Sequence, residues 1–194
     1  MVREGKAQAE EKEEFAREAM AYLDHLYRVA FHLVKEKEEA RDLVQETYAR
    51  ALGAYEQFTP GTNMKAWLTR ILYNFFFDHF HQKKRLVLVD DKAAEADEGS
   101  DYWERVPAEK PGPEGHLLLK ERNIKITEAL RKIPEEFRAP IILVDMGDFS
   151  YAEAAEILSC PVGTVRSRLS RGRRLLYKYL KGYIGAQEKG PARK

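Results

Sequence analysis

The chain has 194 residues, 44% hydrophobic and 34% charged, and its 33 Lys and Arg against 32 Asp and Glu leave a formal net charge of +1. That length allows one or two compact domains, and the charge balance excludes a general polycation, so any basic patch is local and offset by acidic surface elsewhere. A single cysteine, Cys160, excludes an intramolecular disulfide and a CxxC metal pair; the opening stretch MVREGKAQAEEKEEF has no apolar leader core and no run reaches the ~20 apolar residues of a membrane span, so no membrane insertion and a cytoplasmic location are expected.

Residues 1–12 are polar and read as a disordered N-terminus. From Glu13 to Val34, Phe15, Ala19, Tyr22, Leu23, Leu26, Ala30, Leu33 and Val34 recur at helical spacing. A second helix is expected from about Glu36 to Phe58, with Ala40, Leu43, Val44, Tyr48, Ala51, Leu52 and Tyr55 as its apolar stripe. Asp42, Gln45, Glu46 and Ala49 form another stripe at i, i+3, i+4 and i+7. Spacing alone reads that stripe equally well as a solvated face or as a binding surface.

The turn residues of Phe58–Asn63 predict a loop. A third helix follows from about Met64 to Lys84, apolar nearly all round between Ile71 and Phe80 yet ending in Gln-Lys-Lys-Arg. Such a helix is either buried on both sides or shows its rings to a ligand. Aromatic rings beside cations suit unstacked bases, whose phosphates meet the Lys and Arg. Phe75, Phe76 and Phe80 read as core; Tyr73, Asn74 and Phe77 read as ligand-facing.

Arg85–Pro113 breaks the pattern, with seven acids and one lysine between Asp90 and Glu104 and then Pro107, Pro111, Gly112 and Pro113. It reads as a linker, too long for a loop inside one compact domain. Val87, Leu88, Tyr102 and Trp103 are unusual there and suggest docking onto a domain or partner. A second domain starts near Glu114. Its helices are expected over Leu117–Ile133, stopped by Pro134, and over Glu135–Met146, with Pro140 tolerated early or marking a kink.

The stretch Ser150–Leu176, SYAEAAEILSCPVGTVRSRLSRGRRLL, reads as two short helices around a tight turn. Ser150 and Glu153 make a capping box. Pro161 suits only the first turn of a helix, so a second helix starts near Pro161 or Val162 and runs through Val165, Leu169, Leu175 and Leu176. From Ser159 to Tyr183 there are seven Lys or Arg and no acid. Charge-patterned surface helices usually mix signs. This is the pattern of a helix-turn-helix, whose second helix enters the DNA major groove with cations on flanking phosphates. Residues 183–194 form a basic tail. No strand-like alternation persists, so the chain is expected to be all-α: two small helical domains joined by an acidic, proline-containing linker.

No phosphate-binding glycine loop, HExxH motif or Cys/His cluster is present. His79 and His81, two apart on a helix, face different sides. His25, His32 and His116 are isolated, and the lone thiol of Cys160 at the helix-turn-helix corner reads as a small buried residue. No catalytic residue, metal site or cofactor is expected.

Asp42-Leu43-Val44-Gln45-Glu46-Thr47 and Gly61-Thr62-Asn63-Met64-Lys65-Ala66-Trp67-Leu68-Thr69-Arg70-Ile71-Leu72-Tyr73-Asn74 resemble region two of bacterial extracytoplasmic-function (group 4) RNA polymerase sigma factors. Leu130–Arg138 and Ser150–Leu176 resemble region four of the same family, and the order, spacing and acidic linker agree. The resemblance covers about residues 13–84 and 114–182. The Gly61–Leu72 form is similar to members that answer oxidative or thiol stress.

The resemblance implies a transcription initiation factor. Region two would dock on the clamp of core RNA polymerase through Asp42, Gln45, Glu46 and Ala49. The Thr59–Asn63 loop and third helix would capture the melted minus-ten element through Thr59, Gly61, Asn63, Lys65, Trp67, Arg70, Tyr73, Asn74, Phe77 and Lys84, with unstacking costing a few kcal/mol. Region four would read the minus-thirty-five duplex through Thr164, Arg166, Ser167 and Arg168, with Arg171, Arg173 and Arg174 on phosphates. Family members are usually held inactive by an anti-sigma factor, often a zinc protein; this chain has no zinc ligands of its own. The rival readings are a helix-turn-helix repressor or activator with an N-terminal sensor domain, and a scaffold that binds only protein. The first leaves the acidic stripe and the aromatic-basic helix unexplained, and the acid-free helix argues against the second.

Overall fold

The structure is a computed structural model, and it describes residues 2–87 and 113–187. Every regular element among them is helical: α1 (Val2–Met20), α2 (Leu23–Val34), α3 (Lys37–Gly53), a short 3₁₀ turn (Tyr55–Gln57), α4 (Met64–Val87), α5 (Pro113–Arg131), α6 (Glu135–Ile141), a π-helical turn (Ile142–Met146), α7 (Tyr151–Ile157) and α8 (Val162–Gln187). The all-α expectation is met.

Some boundaries differ from the periodicity. The segment expected as a frayed N-terminus is helical from Val2, and α1 and α2 are separate where one helix was expected, with the break at Ala21 and Tyr22. Residues 7–14, AQAEEKEE, are mostly strong helix formers, which carries the helix past its apolar face. Lys35 ends α2 in the left-handed conformation (φ 72°), giving its N–H to the Phe31 carbonyl. The side chain of Glu36 then caps α3 by accepting from the N–H groups of Glu38 and Glu39. The helix expected over Glu135–Met146 splits into α6 and the π turn. Pro140 has no N–H to give the carbonyl four residues back.

In the first half α2, α3 and α4 bury Leu26, Leu33, Leu43, Val44, Leu68 and Leu72 against one another, each worth roughly 1.5–3 kcal/mol on leaving water. In the second half Leu130, Ile133, Ile141 and Leu169 form a core between α5, α6 and α8. Gly172 lets α8 lie against α6: a Cβ there would stand 2.5 Å from the Phe137 carbonyl oxygen and 2.8 Å from Ile141 Cδ1. One buried cluster continues from α2 and α4 into Ile142, Leu143, Phe149, Ala154 and Val165, so the two halves pack directly on each other.

Candidate nucleic-acid and polymerase interfaces

The helix-turn-helix forms as its sequence dictates. The Ser150 hydroxyl accepts from the Glu153 N–H and the Glu153 carboxylate accepts from the Ser150 N–H, closing the capping box that starts α7. α7 ends at Ile157, and Ser159 adopts a positive φ of 48° to make the corner. The N–H of Cys160 reaches the Ala155 carbonyl, leaving that side chain half-buried. α8 starts at Val162, directly after Pro161, and buries Val165 and Leu169.

The opposite face of α8 presents Arg166, Ser167, Arg171, Arg173 and Arg174 to solvent, with Thr164 and Arg168 half-buried. They are not equally free. Asp145, in the π turn, binds Arg173 with both carboxylate oxygens: Nε to Oδ2 is 2.9 Å, and Nη2 meets Oδ1. These bonds hold the Arg173 guanidinium still more firmly charged than usual. The Arg166 guanidinium lies 5.8 Å from the Tyr151 ring centre. Neither Asp145 nor Tyr151 carries a motif signature in the sequence.

The Asp42 stripe lies on the outer face of α3. Asp42, Gln45 and Ala49 are exposed and Glu46 half-exposed, opposite buried Leu43, Val44 and Thr47. Glu46 accepts from Arg50 Nε at 2.7 Å. That pair is exposed and worth little to stability.

On the loop and α4, Thr59, Gly61, Arg70, Asn74 and Phe77 are exposed. Gly61 takes a φ of 83°, which favours glycine. Asn63 caps α4, its Oδ1 accepting from the Ala66 N–H at 3.1 Å. Trp67 points inward: its ring is 5.8 Å from Phe15 and 5.5 Å from Phe58, both edge-on, in an aromatic cluster joining α1, the loop and α4. Phe76 is buried, as expected, and half-buried Phe75 carries the Arg50 guanidinium 4.4 Å from its ring centre. The side chains of Phe80 and Lys84, and most of the stretch expected as linker, lie outside the described residues.

Three of the minus-ten candidates meet the second half of the chain. Asn63 Nδ2 donates to Glu153 Oε1 at 2.6 Å. Lys65 donates to the Gly147 carbonyl and lies 4.6 Å from the Phe149 ring centre. Tyr73 Oη donates to Glu135 Oε1 at 2.7 Å and is 8% exposed. Burial first, and then the Glu135 charge and hydrogen bond, raise the Tyr73 phenol above its ordinary range. The Arg168 cation lies near enough to oppose that shift.

The α2 C-terminus makes a further junction. Arg138, 2% exposed, donates to the Leu33 carbonyl at 3.0 Å. Arg131 donates to the Lys35 carbonyl at 2.7 Å while Lys35 Nζ returns a bond to the Arg131 carbonyl at 2.8 Å. Cations at a helix C-terminus complement its dipole. Burial and these two guanidinium groups lower Lys35 to about 8. A cavity of about 210 Å³ between α2 and the π turn is lined by His25, Arg28, Val29, His32, Ile142 and Met146. His25 Nε2 contacts Thr69 Oγ1 at 3.2 Å, and the Thr69 hydroxyl donates to the Lys65 carbonyl. Among the described residues no group of three or more His, Cys, Asp or Glu could hold a metal ion, and no helix is long and apolar enough to cross a membrane.

A helix-turn-helix with an acid-free recognition helix is thus joined to a helical unit bearing an aromatic-basic helix. Residues 19–86 match the family Sigma-70 region 2, and residues 123–176 match Sigma-70, region 4. The chain is 35% identical over 173 residues to the ECF RNA polymerase sigma factor EcfG of Rhodopseudomonas palustris, covering 89% of this chain and 87% of that protein. It is 36% identical over 159 residues to the ECF RNA polymerase sigma factor SigE of Mycolicibacterium smegmatis, covering 82% of this chain and 58% of SigE. Its fold is similar to that of the sigma factor RpoE of Bartonella quintana, solved in complex with the anti-sigma factor NepR. That match has a TM-score of 0.69 at 33% identity and covers 87% of this chain and 97% of that one. The chain belongs to the ECF RNA polymerase sigma factors, the initiation factors that direct RNA polymerase to promoters.

Proposed function

We propose that the two halves divide promoter recognition between them. The half built on α2–α4 docks on the clamp of core RNA polymerase through Asp42, Gln45, Glu46 and Ala49. Its loop and α4 capture the melted minus-ten element through Thr59, Gly61, Asn63, Lys65, Arg70, Tyr73, Asn74 and Phe77, with Lys84 on the backbone. Trp67, packed on Phe15 and Phe58, acts by shaping that loop. The half built on α5–α8 reads the minus-thirty-five duplex, with Thr164, Arg166, Ser167 and Arg168 at base edges and Arg171 and Arg174 on phosphates. Arg173 joins the phosphate set when the Asp145 bond opens.

The observation that carries this reading is the exposure of an acidic stripe on α3 and a basic recognition face on α8 in one chain. The protein acts in the cytoplasm, where core polymerase and promoter DNA are. An anti-sigma factor is its regulatory partner, as the similarity to RpoE, solved with NepR, supports. The Gly61–Leu72 sequence supports a place among the group 4 members that answer oxidative or thiol stress; any zinc belongs to that partner. The test is Asp42→Arg with Glu46→Arg, both on an outer face. Loss of core polymerase binding with an unchanged helical spectrum supports the assignment, and retained binding contradicts it.

A further inference from the structure

We infer that Asp145 and Tyr151 are specificity-determining positioning residues of the minus-thirty-five reader: they hold Arg173 back from DNA phosphates, so that binding to wrong sequences is weakened while base readout is kept. The inference rests on the sigma-factor reading above and adds to it two residues outside the recognition helix.

The π turn is what brings Asp145 to α8. Pro140 offers no N–H to a regular helix, and the chain widens over Ile142–Met146 before α7 begins. Single-turn widenings of this kind often mark functional sites. Both Asp145 oxygens accept from the Arg173 guanidinium, Oδ2 from Nε at 2.9 Å and Oδ1 from Nη2, so one edge of that planar fork is filled. Arg173 also donates to the Tyr151 hydroxyl, while the Tyr151 ring centre lies 5.8 Å from the Arg166 guanidinium. A single side chain at the head of α7 thus touches two cations that lie two turns apart on one face of α8. Arg171 and Arg174 have no carboxylate partner among the described residues.

Folding stability does not account for the arrangement. The Arg173 side chain is 50% exposed and that of Asp145 30%, and ion pairs so exposed add little to stability. The consequence falls on DNA. Phosphate contacts give affinity on any sequence, and base contacts give discrimination. A cation held by a carboxylate makes no phosphate contact until that bond breaks, and on a wrong sequence nothing replaces the missing contact. On the right sequence α8 must keep a fixed register for Thr164, Arg166, Ser167 and Arg168 to reach base edges. The Asp145 and Tyr151 contacts tie α8 to the π turn and to α7, and so fix that register.

The test uses the full chain bound to core polymerase, on two promoter fragments that differ only in the minus-thirty-five element, intact or scrambled. Contacts made by polymerase and by region two are common to both fragments. Asp145→Asn keeps the side-chain shape and removes the charge. Asp148→Asn, at an exposed acid three residues on, is the charge control. Asp145→Asn is expected to bind the scrambled fragment several-fold more tightly than Asp148→Asn does, with a salt slope steeper by about one. Its binding to the intact fragment should change little, because loss of the fixed register offsets the freed cation, so discrimination falls by the same several-fold. Tyr151→Phe keeps the ring against Arg166 and drops the hydroxyl, and should give a smaller effect of the same sign. In an Arg173→Ala background Asp145→Asn should no longer differ from Asp148→Asn.

Equal tightening by Asp145→Asn and Asp148→Asn would reduce the effect to net charge and overturn the inference. Weakening of both fragments alike by Asp145→Asn would make the pair a structural brace only, and an effect that persists without Arg173 would show that Asp145 acts elsewhere; either result also overturns it. All three leave the sigma reading intact. A wild-type complex that does not distinguish the two fragments removes the minus-thirty-five reading, and this inference with it.

Discussion

Arg173 of the recognition helix is gripped by Asp145 of the π turn through two parallel bonds, although twenty-eight residues separate them in sequence. A cation already matched by a carboxylate releases fewer counterions on meeting a phosphate. Arg171→Ala and Arg174→Ala should each reduce the salt slope of duplex binding by about one, and Arg173→Ala by clearly less. Titrations of minus-thirty-five duplex against salt check this, and an equal reduction for all three would show that the Asp145 bond opens fully on DNA.

Arg168 lies half-buried on α8, near enough to Tyr73 of α4 for its charge to act on the phenol. Arg168→Ala should cost roughly 1–3 kcal/mol of discrimination between the promoter element and mismatched duplexes. Loss of the same size on every sequence would assign Arg168 to phosphate.

Gly172 is the point of closest approach between α6 and α8. An added Cβ meets the Phe137 carbonyl oxygen and Ile141 Cδ1, one of which is backbone. Gly172→Ala gains helix propensity but overpacks this contact, and the expected net is a loss of about 1–3 kcal/mol. Denaturant unfolding measures it; a more stable variant would mean that α6 yields.

Two histidines make stability depend on pH. His25 and His32 are held near 4, against an ordinary 6.5. Burial is the main cause for both, followed by Lys65 and Arg28 for His25 and by Arg28, Arg138 and Arg131 for His32. Below 6.5 the unfolded chain takes up protons that the folded chain refuses until about 4. Stability is therefore complete above 6.5 and declines as pH falls through that window. His25→Gln should flatten the decline in thermal midpoint between neutral pH and about pH 5. A wild-type midpoint that stays level over this range would contradict the assignment.

The local rules were readable in the sequence, and the long-range pairings were not. Ser150 with Glu153, Pro161 at the head of α8, and the buried set Val165 and Leu169 follow from capping, proline geometry and a period of 3.6. The break between α1 and α2 has no breaker residue: Ala21 and Tyr22 both tolerate helix. The inward turn of Trp67 depends on Phe15 and Phe58, which arrive from α1 and from the loop before α4. Tyr73, which the sequence reads as ligand-facing, donates to Glu135, sixty-two residues on, a partner that no local pattern marks.

The most direct test of the account is run-off transcription with purified core RNA polymerase on a pool of genomic fragments, with and without this protein. Discrete starts that depend on the protein are predicted, and their aligned upstream sequences should share two elements at fixed spacing. No dependent starts, together with specific duplex binding by the protein alone, would contradict the account and mark an ordinary helix-turn-helix regulator.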